Sequence, residues 1–139
     1  MLADDIIAKL GLQEGDQVCF VDAPAEMTEA LRAAAPPGIR FTDYIGLRGF
    51  DQILWWPTEL PGLDARLAKL AYCIKPEGAI WLIIPKQKFS AARGITFIWA
   101  EMQAFALQTD LVDNKTASFS DADYATRFVI RKEHRLKYG

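Results

Sequence analysis

The chain has 139 residues, 51% of them hydrophobic and 24% charged, a balance that sets aside disordered and collagen-like classes and fits one domain over residues 1–139. The formal net charge is -2, so no overall field recruits nucleic acid or an anionic membrane surface. Charge is nonetheless uneven, with Asp4, Asp5, Glu14, Asp16 and Asp22 early in the chain and Arg127, Arg131, Lys132, Arg135 and Lys137 late; the late run reads as a solvated basic tail.

Ala3, Ile6, Ile7 and Leu10 fall at helical spacing, and Gly11 marks a stop, which predicts a short amphipathic helix. After Glu14-Gly15-Asp16 comes Gln17-Val18-Cys19-Phe20-Val21-Asp22, an apolar run without alternation that suits a parallel strand buried on both faces. Pro24 opens a helix with Met27, Ala30, Leu31 and Ala34 inward, and Pro36-Pro37-Gly38 ends it before a strand over Ile39 to Asp43. Gly46-Leu47-Arg48-Gly49 then leads into a strand from Phe50 to Trp56, stopped by Pro57. Leu63, Leu67, Leu70 and Ile74 mark a helix that Pro76-Glu77-Gly78 closes, followed by an apolar strand from Ala79 to Ile84. A long helix is expected from about Gly94 to Thr109, with Ile95, Ile98, Met102 and Phe105 inward and Phe97 and Trp99 free to face a partner or a second copy. Leu111 to Phe119 and Ala125 to Arg131 read as two strands of an antiparallel hairpin.

Several familiar chemistries lack their residues. Cys19 and Cys73 sit in apolar stretches, far from metal-ligand spacing, and read as buried thiols with no metal site. No glycine-rich dinucleotide fingerprint and no phosphate-binding P-loop motif occurs. His134 is the single histidine and lies in the basic tail, away from any strand end. No cationic start followed by an apolar run marks a signal peptide, and no apolar stretch is long enough for a membrane span, so the cytoplasm is the expected compartment.

The order of elements, together with Ile74-Lys75-Pro76-Glu77-Gly78-Ala79 feeding the strand to Pro85, resembles the class I S-adenosylmethionine-dependent methyltransferases. A closer resemblance, from about Ala8 to Arg135, is to a bacterial family of small methyltransferase-like domains of unknown function. It runs through Leu10-Gly11, Asp22-Ala23-Pro24, Lys75-Pro76-Glu77-Gly78-Ala79, Pro85-Lys86, Leu111-Val112-Asp113-Asn114-Lys115 and Arg127-Phe128-Val129-Ile130-Arg131-Lys132. The resemblance implies an α/β, three-layer Rossmann-like sandwich with a truncated, mostly parallel sheet of about six strands that ends in an antiparallel hairpin.

Open parallel sheets bind ligands at the carboxyl ends of strands where strand order reverses. That rule points to the ends of the first strand and of Phe50 to Trp56, with Asp22, Pro24, Asp43, Trp56 and Lys86 as ligand-binding candidates. Adjacent Trp55 and Trp56 point to opposite faces, so one should approach the crevice unless both serve the core. By the resemblance, Asp43 would hold a ribose and a glycine-rich first loop would admit the cofactor. Asp22-Ala23-Pro24-Ala25-Glu26 has no glycine, and Pro24 removes a backbone N–H, which argues against S-adenosylmethionine. The expectation is a non-catalytic binding or interaction domain, with a protein partner or homodimer. The alternative is a small-ligand enzyme or a binder of S-adenosylmethionine or a nucleotide at the same crevice. A nucleic-acid accessory rests on the basic tail alone, and because a nucleic-acid binder is usually basic overall, nucleic acid is not an expected partner.

Overall fold

The computed structural model describes residues 1–46 and 48–139; Leu47, within the predicted link Gly46-Leu47-Arg48-Gly49, lies outside the described residues. Helix α1 (Ile6–Lys9) precedes β1 (Gln17–Val21), α2 (Ala25–Ala34), β2 (Arg40–Thr42) and β3 (Phe50–Trp55). Then come α3 (Leu63–Leu70), β4 (Ile74–Pro85), α4 (Gln87–Ser90), α5 (Trp99–Ala106), β5 (Leu111–Ser118) and β6 (Asp123–Ile130), with a 3₁₀ segment at Lys132–Lys137. The six strands form one sheet in the order β2-β1-β3-β4-β6-β5. The β1–β2, β1–β3 and β3–β4 pairs are parallel, and β6 runs antiparallel to both β4 and β5.

Alternation along the strands divides the core in two. On one face Cys19, Ile53, Ile80, Leu82 and Phe128 meet Leu63, Leu67 and Leu70 of α3 and Met102 and Ala106 of α5. On the other, Phe20, Leu54, Trp56, Trp81 and Ile83 meet Ile6 and Leu10 of α1 and Leu31 of α2. These are the three layers expected of the fold. Central strands sandwiched in this way need apolar residues at successive positions, which is the unbroken pattern of Val18 to Val21.

Two elements differ from the sequence-based expectation. The helix expected from Gly94 to Thr109 is confined to Trp99–Ala106. Gly94 is left-handed (φ 69°), Ile95 and Phe97 are buried from the non-helical segment that follows it, and the helix begins only where the Ile98 N–H donates to Glu101 Oε1 at 3.0 Å. Ile98 consequently points outward at 51% exposure, Phe97 is buried, and Trp99 donates its indole N–H to Thr126 Oγ1 at 2.8 Å. The outward hydrophobe is thus Ile98, while Phe97 and Trp99 serve the interior.

The second difference is at Pro76-Glu77-Gly78, which lies inside β4. Phe50 pairs with Ile74 and Gln52 with Ala79, so β4 carries an outward irregularity between the two pairs. Gly78 permits it, because a Cβ there would lie 2.8 Å from the Asp51 carbonyl oxygen and 3.0 Å from that of Lys75.

Candidate functional site

The chain leaves β1, crosses through α2 to β2 on one side, and later returns to β3 on the other side of β1. Strand order therefore reverses between β1 and β3, and the connections leaving their carboxyl ends part there to form a crevice. Trp56 N–H donates to the Val21 carbonyl at 3.1 Å, extending the β1–β3 pairing to the crevice floor. The main hollow has a volume of about 510 Å³ and is lined by Val21, Asp22, Ala23, Thr28, Asp43 and Arg66, among others. A smaller one, about 140 Å³, lies against Trp55, Pro57, Glu59 and Pro61 and shares Asp22 and Arg66 with the first.

Arg66 is the residue that organises this place, and sequence reasoning missed it. It stands in the first turn of α3, with its guanidinium carbon 5.8 Å from the Trp55 ring centre and Nη1 3.5 Å from Asp22 Oδ2. Stacking of a guanidinium on an indole face is favourable, while an ion pair this exposed contributes little to stability. The pair stands at the boundary shared by the two hollows. One cue was available: Arg66 opens the first helix after a strand predicted to end at the crevice.

Asp22 adopts φ 55°, a left-handed backbone that glycine would take without strain. Pro24 is the N-cap of α2 and gives no side-chain cap, and Glu26 occupies the first turn. The start of α2 is thus short of a backbone donor and already matched by a negative charge. Asp43 lines the main hollow beyond the end of β2. Asp22 and Asp43 are thereby brought to one hollow, with Pro24 at the start of the helix beside it.

The two remaining sequence candidates lie elsewhere. Trp56 packs in the core, edge-on to Phe119 and tilted against Phe20, and it is Trp55 that lines the crevice. Lys86 donates to Ser118 Oγ at 3.0 Å, with Nζ 5.3 Å from the Tyr124 ring centre, so it serves the hairpin link. Beside it the fully buried Asp123 is clamped by Arg93 through both guanidinium nitrogens and receives the Ser120 hydroxyl at 3.0 Å. Neither Trp55 nor Trp56 finds an acceptor for its indole N–H among the described residues.

Burial first, and then the Cys73 and Asp43 charges, push the Cys19 thiol up to about 11. It is therefore a protonated core residue at neutral pH and a poor nucleophile. His134 lies with its Nε2 3.7 Å from Asp110 Oδ1, in the C-terminal segment. Among the described residues no group of three His, Cys, Asp or Glu side chains is placed to hold a metal ion, and no helix is long and apolar enough to cross a membrane.

An S-adenosylmethionine-dependent methyltransferase from Aquifex aeolicus superposes with a TM-score of 0.63 at 14% identity, over 91% of this chain and 88% of that one. The fold is that of the S-adenosylmethionine-dependent methyltransferases. A putative type 11 methyltransferase from Sulfolobus solfataricus gives 0.59 at 8% identity over 93% and 91% of the two chains. A structure of the Haloferax volcanii Trm112 methyltransferase activator in complex with a putative methyltransferase gives 0.58 at 13%, over 90% and 86%. No protein-family model and no curated protein matches the chain. At these identities the likeness is one of fold, and fold does not assign chemistry.

Proposed function

We propose that this is a methyltransferase-like binding domain that does not transfer methyl groups. The observation that carries the reading is the loop between β1 and α2. A cofactor held against this loop needs close backbone approach and free N–H groups. Here Asp22 stands at the turn where the backbone favours glycine, Pro24 withholds a donor, and the Asp22 carboxylate faces Arg66 across the crevice mouth. A protein is the occupant this reading favours, in keeping with the Haloferax volcanii neighbour, which is found in a complex with an activator protein.

One observation supports a second reading. Asp43 lines the main hollow, where a carboxylate can accept hydrogen bonds from ligand hydroxyl groups, so a nucleoside or adenosyl compound would have a place to seat its sugar. A thermal-shift screen with S-adenosylmethionine, S-adenosylhomocysteine and common nucleotides separates the two. A ligand at a hundred times its Kd stabilises by about 2.7 kcal/mol, which raises Tm by roughly 5–10 °C in a domain of this size. The expected result is no shift with the adenosyl compounds. A shift that Asp43→Asn abolishes would replace the first reading with the second.

A further inference from the structure

On the α1 side of the sheet, toward the ends where β1 and β3 begin, lies a separate hollow of about 410 Å³. Lys9, Gln13, Gln52, Asn114, Lys115 and Arg127 supply its polar lining, and Trp81 contributes to its wall. Among the described residues it is lined by three cationic residues and no carboxylate. Its floor is fixed: the Trp81 indole N–H donates to Gln52 Oε1 at 2.9 Å, and Gln52 Nε2 donates to the Gly11 carbonyl at 3.2 Å.

The cations are gathered by strand register. Arg127 of β6 pairs with Trp81 on one side and with Lys115 on the other, so all three share a face. Lys115 would face the opposite way were it not for an irregularity in β5, where Asp113 and Lys115 oppose Phe128 and Arg127, leaving Asn114 as the extra residue. Such a bulge re-aims the side chain that follows it. Asp113 is kept on the α5 face, accepting hydrogen bonds from Gln103 Nε2 at 3.2 and 3.1 Å. The bulge thus separates a carboxylate from a lysine two residues apart and delivers only the lysine to the hollow. Lys115 Nζ donates to the Lys9 carbonyl at 2.8 Å and stands 6.0 Å from the Trp81 ring centre, which holds the ammonium in place.

Arg127 is partly buried, and among the described residues its guanidinium neither pairs with a carboxylate nor donates to any acceptor. Burial and then the charge of Arg135 lower its pKa from the ordinary value, so the folded chain works against this charge. A partly buried, uncommitted five-donor fork that shares one hollow with two lysines is an arrangement suited to a dianion.

We propose that this hollow binds a phosphate-bearing small molecule, anchored by Arg127 and Lys115 and bordered by Asn114 and Lys9. The guanidinium fork matches phosphate oxygens two at a time, and Lys115 adds a point charge. The site is independent of the crevice and of its occupant.

The test is a titration of the ¹⁵N-labelled full chain with sodium phosphate and with sodium pyrophosphate, against sodium chloride at equal ionic strength. Saturable shifts of the Arg127 Nε–H and the Asn114 side-chain amide with either phosphate, absent with chloride, are expected. Arg127→Gln and Lys115→Gln should each weaken that binding by about tenfold or more. Arg127→Gln should also fold at least as stably as the parent without phosphate, because it removes a partly desolvated charge. Lys115→Gln, at an exposed position, serves if Arg127→Gln does not fold. Tighter binding of pyrophosphate than phosphate would assign a diphosphate ligand. Equal responses to phosphate and chloride, or saturable binding that neither substitution weakens, would overturn the proposal. None of these readouts involves the crevice residues, so this site can fail while the crevice reading stands.

Discussion

At Asp22 a single dihedral angle separates backbone form from side-chain content. The turn after β1 has the left-handed φ of 55° that a glycine would adopt freely, yet it carries a carboxylate that faces Arg66 at 3.5 Å. Asp tolerates this region better than most residues, whereas a β-branched side chain does not. We expect Asp22→Gly to change stability by less than about 1 kcal/mol, since relief of backbone strain offsets the greater freedom of the unfolded chain and the loss of an exposed ion pair. Asp22→Val should cost about 2 kcal/mol. Urea unfolding midpoints of the two variants check this, and equal midpoints would show that the turn relaxes. The residue scale is also where sequence reading reached its limit. Asp22 and Asp43, chosen from strand ends, line one hollow; Arg66 was not foreseen there, because its position depends on how α3 leans over Trp55. Trp56 and Lys86 were placed by the same strand-end logic; the first turned to the opposite face and the second toward Ser118.

At the scale of elements, irregularities in the strands do as much as the strands themselves. The segment Lys75 to Gly78 bulges from β4 between the Phe50–Ile74 and Gln52–Ala79 pairs, and Gly78 lets it pass the Asp51 backbone. Asp51 in turn accepts the Gln17 N–H at 2.8 Å and the Lys75 ammonium at 2.8 Å, so the bulge ties the starts of β1, β3 and β4 together. Gly78→Ala should destabilise by about 1–3 kcal/mol, because both nearest atoms are backbone oxygens that cannot rotate away. A lower urea midpoint at unchanged m-value is the expected sign. In the sequence, Pro76-Glu77-Gly78 read as a helix stop ahead of a strand starting at Ala79, a local inference that ignores a partner strand. The shortened α5 has a similar origin: Ile95 and Ile98 fit a helical stripe, but Gly94 and the Glu101 cap set a later start, and Ile95 is buried from the non-helical segment before it.

For the molecule as a whole, the C-terminal segment acts as a strap across the start of β5. Asp110 accepts the Tyr138 hydroxyl at 2.6 Å and the Lys137 ammonium at 2.9 Å, and Arg135 Nε donates to the Ile130 carbonyl at 3.0 Å. Those partners, Tyr138 first and then Lys137, hold the Asp110 carboxyl below its ordinary 3.8. A lowered folded-state pKa gives stability that is present above the unfolded value and lost as pH falls through the folded one. Burial, and then the bond to Asp110, raises the Tyr138 pKa above its ordinary 10.0, so its contribution is complete below 10.0 and lost as pH rises through the folded value. Limited proteolysis should therefore find residues 132–138 protected at neutral pH and released in acid below about pH 3.8. Asp110→Ala should release them at pH 7, and unchanged cleavage in that variant would place the strap's hold in its apolar contacts instead. The residues that read as a solvated basic tail are in part tied down, because Lys137 finds a carboxylate that precedes it by 27 positions.

By itself the sequence determined the layered α/β class, the order of elements, the antiparallel closing hairpin and the missing glycines of the first loop. Each of these is local: apolar runs, helical spacing and turn residues act within about a dozen neighbours. Tertiary structure alone decided which tryptophan lines the crevice, that Arg66 stands beside it, and that Lys9, Lys115 and Arg127 line one hollow with Trp81. Those outcomes turn on how α3 packs over Trp55 and on strand register, in which a single inserted residue such as Asn114 sends the side chains that follow to the other face.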